Sequence, residues 1–167
     1  MKISKDEIEF KEINSNLWNI FYNDKLIKFW SSPILIPFGL DFEYNKYLIR
    51  VEIDENNTKH IHLKKTILKF EKLMKEKFNI NEEDFKSCIK KRENKKDLLE
   101  LRLKTMKDRI LTKIEFIDKD NNYLKTIYDL PKHSNAKIEI SINNFWDYRN
   151  NNGKCGLLLN ALKIIIL

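Results

Sequence analysis

The spacing of apolar residues along this 167-residue chain changes period twice. Residues 16–22 and 26–30 are apolar-rich runs separated by Asn23, Asp24 and Lys25, which predicts a short hairpin. Pro33 and Pro37 hold Ser32 and Ile36 extended, so residues 31–38 are expected as an edge strand or an extended arm. Tyr47, Ile49, Val51 and Ile53 alternate with Leu48, Arg50, Glu52 and Asp54, the pattern of a half-buried strand. A polar turn follows at residues 55–58. Between residues 66 and 78 the period becomes helical. Ile67, Phe70, Met74 and Phe78 recur at steps of three and four, with Lys and Glu between them. This helix falls between two sets of strands, where it would cap the open end of a barrel.

Alternation then returns with Leu99, Leu101 and Leu103 against Glu100, Arg102 and Lys104. Residues 111–117 and 123–128 are shorter strand candidates around a turn at 118–122. In residues 136–148, Ile138, Ile140 and Ile142 share one face and Lys137, Glu139 and Ser141 the other. Asn150, Asn151, Asn152 and Gly153 predict a turn, because Asn and Gly tolerate positive φ. The last segment, 155–167, is apolar on both parities: Leu158, Leu162, Ile164 and Ile166 on one, Leu157, Leu159, Ala161, Ile165 and Leu167 on the other. A strand buried on both sides needs an interior behind it and a helix, an arm or a second subunit in front. The expected architecture is one mainly β (α+β) domain over residues 1–167, an antiparallel barrel, closed or nearly closed, with one amphipathic helix. Residues 1–30 would form an N-terminal hairpin extension.

Composition narrows the function classes. Aromatics at 11% exclude a disordered tail, and three Gly with three Pro exclude collagen-like and linker-like chains. No apolar run reaches the roughly 18 residues of a membrane span. The first dozen residues are charged and have no apolar core of a secretory leader. The formal net charge is +7, but Lys, Ile and Asn dominate the chain and all have A/T-rich codons, so the total says little. Its placement says more. Residues 86–113 carry 11 basic side chains against 4 acidic ones, while residues 1–85 have a net charge of −1 and residues 114–167 of +1. Codon bias would spread lysine evenly. The cluster fits a phosphate-binding surface, or else a solvated charged hairpin.

Catalytic signals are poor. The chain lacks a Walker loop, a GxSxG elbow, an HExxH pair and an EF-hand loop. His60 and His62 would share a face on a strand, with no third metal ligand nearby. Glu82, Glu83 and Asp84 suit the start of a short turn or helix. Cys88 and Cys155 are far apart and read as small buried residues in a reducing, intracellular setting. Binding signals are stronger, since single strands are held by positive grooves with aromatic platforms. Lys28 and Trp30 share strand parity, and Phe145, Trp146, Tyr148, Arg149 and Lys154 cluster at the last hairpin. A regular strand sends Trp146 and Tyr148 into the core and leaves Phe145 exposed. A bulge at Asn143 or Asn144 reverses this and turns Trp146 outward.

Two blocks carry a resemblance. The first is Pro37-Phe38-Gly39-Leu40 followed by residues 44–53. The second is Ile127-Tyr128-Asp129-Leu130-Pro131, then residues 136–142, Trp146, Lys154, Gly156 and Lys163-Ile164. In this order, from Ser31 to Leu167, the chain resembles the OB-fold single-stranded DNA-binding proteins of nucleocytoplasmic large DNA viruses. Those proteins are similar to a short-tailed phage single-stranded DNA-binding protein. The resemblance implies an OB-like antiparallel barrel with extra N-terminal strands. It also implies sequence-independent binding of single-stranded DNA in viral replication, recombination or repair, with no enzyme activity and no cofactor. The phage-like proteins end in an acidic tail, whereas this chain ends in Ile164-Ile165-Ile166-Leu167.

By charge and parity, phosphate contacts are expected at Lys90, Lys91, Arg92, Lys95, Lys96, Arg102, Lys104 and Arg109, with Lys28, Arg149 and Lys154 beside them. Bases would stack on Phe145 or Trp146, with Trp30 or Phe38. The expected partner is single-stranded DNA, with RNA an open alternative, in an intracellular viral replication site and without a membrane. The last strand could pair with a second copy of the chain. The rival reading is a structural or assembly protein whose basic hairpin and apolar last strand meet protein partners.

Overall fold

The computed structural model describes residues 4–116 and 126–167. The expected turn at 118–122 and the first half of the strand expected at 123–128 lie outside the described residues. Residues Ile127–Asp129 form a turn of 3-10 helix. The chain opens with a meander of three strands, β1 (Ile8–Asn14), β2 (Leu17–Tyr22) and β3 (Lys25–Trp30), rather than with two. β1 escapes hydrophobic patterning because Ile8 is its one buried residue. β2 and β3 are joined by Asn23 and Asp24 at φ of 48° and 59°, residue types that accept the left-handed region. Short β4 (Ile34–Ile36) is followed by the hairpin of β5 (Leu40–Glu43) and β6 (Lys46–Ile53).

Helix α1 runs over Thr58–Lys77 and so begins eight residues before the expected start at Thr66. Asn57 caps it, its side-chain oxygen accepting from the Lys59 and His60 amides at 3.0 and 3.4 Å. The apolar period is masked in the first two turns because a histidine occupies a buried position. His60 is buried, accepts from the Asp54 amide at Nδ1 (3.1 Å) and therefore donates from Nε2 to the Pro33 carbonyl (2.8 Å). His60 and His62 thus lie on a helix, one buried and one exposed, and do not share a face. The described residues hold no metal-binding cluster of three or more acidic, His or Cys side chains. No helix among them is long and apolar enough to cross a membrane.

After α1 come β7 (Phe85–Lys86), β8 (Ile89–Lys90), β9 (Asp97–Leu103), β10 (Thr105–Met106), β11 (Arg109–Ile110) and β12 (Lys113–Phe116). The long β13 (Ser134–Asp147) and β14 (Cys155–Ile166) complete the chain. The main sheet runs β1-β2-β3-β13-β14-β9-β6-β5. The antiparallel barrel expected from the sequence is corrected in two ways. β14 runs parallel to β7, β9 and β12, each reached through a long crossover. The pairing path also ends at β1 and β5, without a closed ring of backbone bonds among the described residues. One edge of β13 is shared by β4, β3 and β2 in succession, so β2 and β3 are built into the sheet.

Two bulges explain where parity failed. Glu139 pairs with Lys163 but Ile140 pairs with Ala161, leaving Leu162 extra on β14. Before it Leu157, Leu159 and Ala161 point into the core, and after it Ile164 does. The doubly apolar last strand is therefore a switch of inward parity. Its backbone edges are taken by β13 on one side and, over residues 155–156, 160–161 and 163–166, by β7, β9 and β12 on the other, so it leaves no long free edge for a second copy. The core itself joins Ile20, Ile36, Ile49, Leu99 and Ile138 to Ile67, Phe70 and Met74 of α1.

Candidate nucleic-acid interface

Helix α1 presents two flanks on either side of its buried stripe of Leu63, Ile67, Phe70 and Met74. One flank faces the basic segment. There Glu71 accepts from the Cys88 amide (2.7 Å) and the Ser87 hydroxyl (2.9 Å), and Lys64 bonds Asp97 at 2.7 Å. Burial pushes the Glu71 carboxyl up, against the pull of those donors. The segment does not form the single hairpin expected. It is divided between β7, the β8–β9 hairpin and the separate β10–β11 hairpin.

Several of its cations are already engaged. Arg92 pairs with Glu52 at 3.0 Å and donates from Nε to the Lys96 carbonyl at 2.7 Å. Lys96 reaches Asp54 at 3.2 Å, and the Asn56 amide and Lys96 together hold that carboxyl below its usual range. Near the last hairpin, Arg149 grips Asp147 through two nitrogens, at 2.7 Å in the closest contact, and keeps its carboxyl low. Lys154 donates to the Glu83 carbonyl at 3.0 Å. Lys91, Lys95, Lys104 and Arg109 are exposed and form no ion pair with the described residues; Lys90 is exposed near Glu43.

The aromatic pair at the last hairpin resolves in favour of the bulge. β13 shifts register between Ile142 and Asn144, so Asn143 is the extra residue and parity reverses. Phe145 has 0% exposure and stacks on Phe78 with ring centroids 4.4 Å apart, so the expectation that it stands free for stacking is corrected. Trp146 is turned outward but half-buried. Its indole lies on Gly156, where an added Cβ would come within 3.0 Å of the ring. With Lys86, Arg102 and Glu100 it lines a cleft of only about 30 Å³. Cys88 and Cys155 are buried as expected, and burial pushes the Cys155 thiol up to about 11. Phe38 is exposed, beside Gly39 at φ of 72°, where a Cβ would meet the Leu130 carbonyl at 2.8 Å.

The other flank of α1 forms a groove of about 1040 Å³ against β3. Lys28 and Trp30 line it from β3, Lys59, His62 and Lys69 from α1, and Lys137 from β13. No carboxylate is among its lining residues, and none of the four lysines forms an ion pair with the described residues. Trp30 is 47% exposed, and the floor is apolar, with Ile27, Leu63 and Phe70. The rim is fixed on both sides. Ser31 donates its amide to the Ile138 carbonyl (2.8 Å), and its hydroxyl accepts from the Ile138 amide (3.0 Å). Pro33 is held to α1 through His60. Lys28 and Trp30 were legible as a pair. Lys59 and His62 fall in the two turns whose helical period is masked, and Lys69 reads only as one of the polar residues between the apolar positions of the expected helix, although the three follow one helical face with Thr66.

No family model and no curated protein matches this chain. Solved structures do. The crystal structure of gp2.5, a single-stranded DNA-binding protein encoded by bacteriophage T7, is 12% identical, with a TM-score of 0.54 over 84% of this chain and 86% of that one. The single-stranded DNA-binding protein from bacteriophage Enc34 is 16% identical, with a TM-score of 0.56 over 95% and 88%. Its C-terminally truncated form gives 0.53 at 16% identity over 96% and 93%. The fold is that of these phage proteins. Of the resemblance read from the sequence, the likeness to a phage single-stranded DNA-binding protein holds at the level of architecture: mainly β strands, one helix and one large sheet.

Proposed function

We propose that this protein binds single-stranded DNA without sequence preference, as a binding protein rather than an enzyme. The observation that carries this reading is the groove beside α1, where four unpaired lysines and an exposed tryptophan meet over an apolar floor with no lining carboxylate. Phosphates would follow Lys28, Lys59, Lys69 and Lys137 while a base stacks on Trp30. The free cations across the helix, Lys90, Lys91, Lys95, Lys104 and Arg109, would add to the attractive field and extend the path. Phe38 and Trp146 remain candidate platforms, and Arg102 a candidate phosphate contact beside Trp146. Arg92, Lys96, Arg149 and Lys154 would act mainly by holding the scaffold. The shared phage fold supports this reading, and the resemblance to the large-DNA-virus family suggests a role in replication, recombination or repair of a viral genome.

Polarisation titration of a labelled dT oligomer at two salt concentrations tests it. If about five phosphates are neutralised, log K falls with log salt at a slope near −3 to −4. Absence of binding at low salt, or tight binding to duplex alone, would sink the reading.

A further inference from the structure

The β5–β6 hairpin turns through only two residues, Tyr44 and Asn45, since Glu43 and Lys46 are the last paired residues. Both central residues have positive φ, 50° and 59°. Such a turn favours Asn, Asp or Gly at each position, and a bulky side chain there is an outlier. The β2–β3 turn follows the rule with Asn23 and Asp24. The β5–β6 turn does not. Its tyrosine is 93% exposed and lies outside the hydrophobic core, so the ring returns nothing to the fold for the strained backbone beneath it.

Tyr44 also has company. Phe42 and Tyr47 approach at 4.7 Å between ring centroids, and Tyr128 meets Tyr47 edge-on at 5.6 Å. Phe42 and Tyr128 are both exposed. Lys46 and Lys132 are exposed on the adjoining segments. Arg50 bonds Glu43 at the foot of the turn and holds its carboxyl below the usual range, with Lys90 and Lys86 contributing, so the tip stands within the field of the basic segment. Strain kept at an exposed side chain points to function, and exposed rings beside cations have the chemistry of a single strand: faces for bases, charges for phosphates.

We infer that the β5–β6 tip is a second base-stacking platform, with Tyr44 as the ring that meets the base and Phe42, Tyr47 and Tyr128 as its support. This rests on the single-stranded DNA-binding reading and adds a site on the hairpin flank of the molecule.

Tyr44→Asn separates stacking from folding, because asparagine suits the left-handed turn. The test compares the intact protein, Tyr44→Asn and Tyr44→Phe, each titrated with a dT oligomer and with an abasic deoxyribose-phosphate oligomer of equal length. Thermal melts and sedimentation accompany the titrations. Tyr44→Asn should melt higher than the parent, stay unchanged in mass, and lose about five- to hundredfold in affinity for dT. It should bind the abasic strand as the parent does, and Tyr44→Phe should keep the parent's affinity for both. Unchanged dT affinity in Tyr44→Asn overturns the inference, as does an equal loss on both strands or a change in oligomeric mass. If the parent itself binds neither strand at low salt, the underlying reading fails and the platform falls with it.

Discussion

The two flanks of α1 both carry cations, but they differ in what surrounds them. On the hairpin flank, Arg92 and Lys96 are matched by Glu52 and Asp54, and the surface is divided between separate short hairpins. On the groove flank, four lysines from three elements converge on one concavity that no lining carboxylate enters. The first flank is conspicuous in the sequence because its cations are consecutive. The second is invisible there because Lys28, Lys59, Lys69 and Lys137 are scattered over 110 residues. A basic run measures how many charges a segment holds, whereas binding depends on how many are left unpaired and how they are arranged. A paired surface cation adds little net field, since its partner cancels it at a distance.

Substitutions can break this comparison at several points. The largest effect is expected at Phe145, whose truncation to Ala should cost about 3–5 kcal/mol in stability, read by denaturant melts, because it removes a fully buried ring from the Phe78 stack. A loss of DNA affinity with unchanged stability in Phe145→Ala would mean that the ring stacks on bases after all. Next comes Trp30→Ala. It should keep the fold and lose about 1–3 kcal/mol of binding to a dT oligomer. Retained affinity there would remove the groove's only lining indole from the site. Smaller still is Arg92→Ala, which should lower stability by about 1 kcal/mol through the half-buried Glu52 pair and leave the salt slope of binding as it was. A shallower slope in that variant would show that Arg92 leaves Glu52 to reach phosphate.

Periodicity gave the strands and the helix wherever one residue class marked one face. Tyr47 to Ile53, Ile138 to Ile142 and Ile67 to Met74 are read correctly because apolar side chains mark the inward face, with the buried Glu71 of α1 the exception. It failed where the inward position held something else or the count slipped. His60 sits in the core of α1 as a hydrogen-bonded polar residue and hid the first turns of the helix. Leu162 and Asn143 are single extra residues on β14 and β13, and each reverses which neighbours face inward. A bulge near Asn143 is one of the two outcomes that parity allows, and with it comes the outward turn of Trp146. The bulge at Leu162 had no such signal, since apolar residues stand on both sides of it. The candidate site was half legible for the same reason. Lys28 and Trp30 are neighbours in one strand, while their partners in the groove arrive only through packing of α1 and β13 against β3.

The central claim is that the groove flank holds more of the strand's phosphates than the hairpin flank does. Matched removal of three lysines from each side tests it most directly: Lys28→Ala with Lys59→Ala and Lys137→Ala, against Lys90→Ala with Lys91→Ala and Lys95→Ala, both titrated with a dT oligomer across a salt series. The groove variant should lose about 2 units of slope, at roughly 0.7 per phosphate contact, and the hairpin variant less than about 1. An equal or larger loss in the hairpin variant would contradict the account.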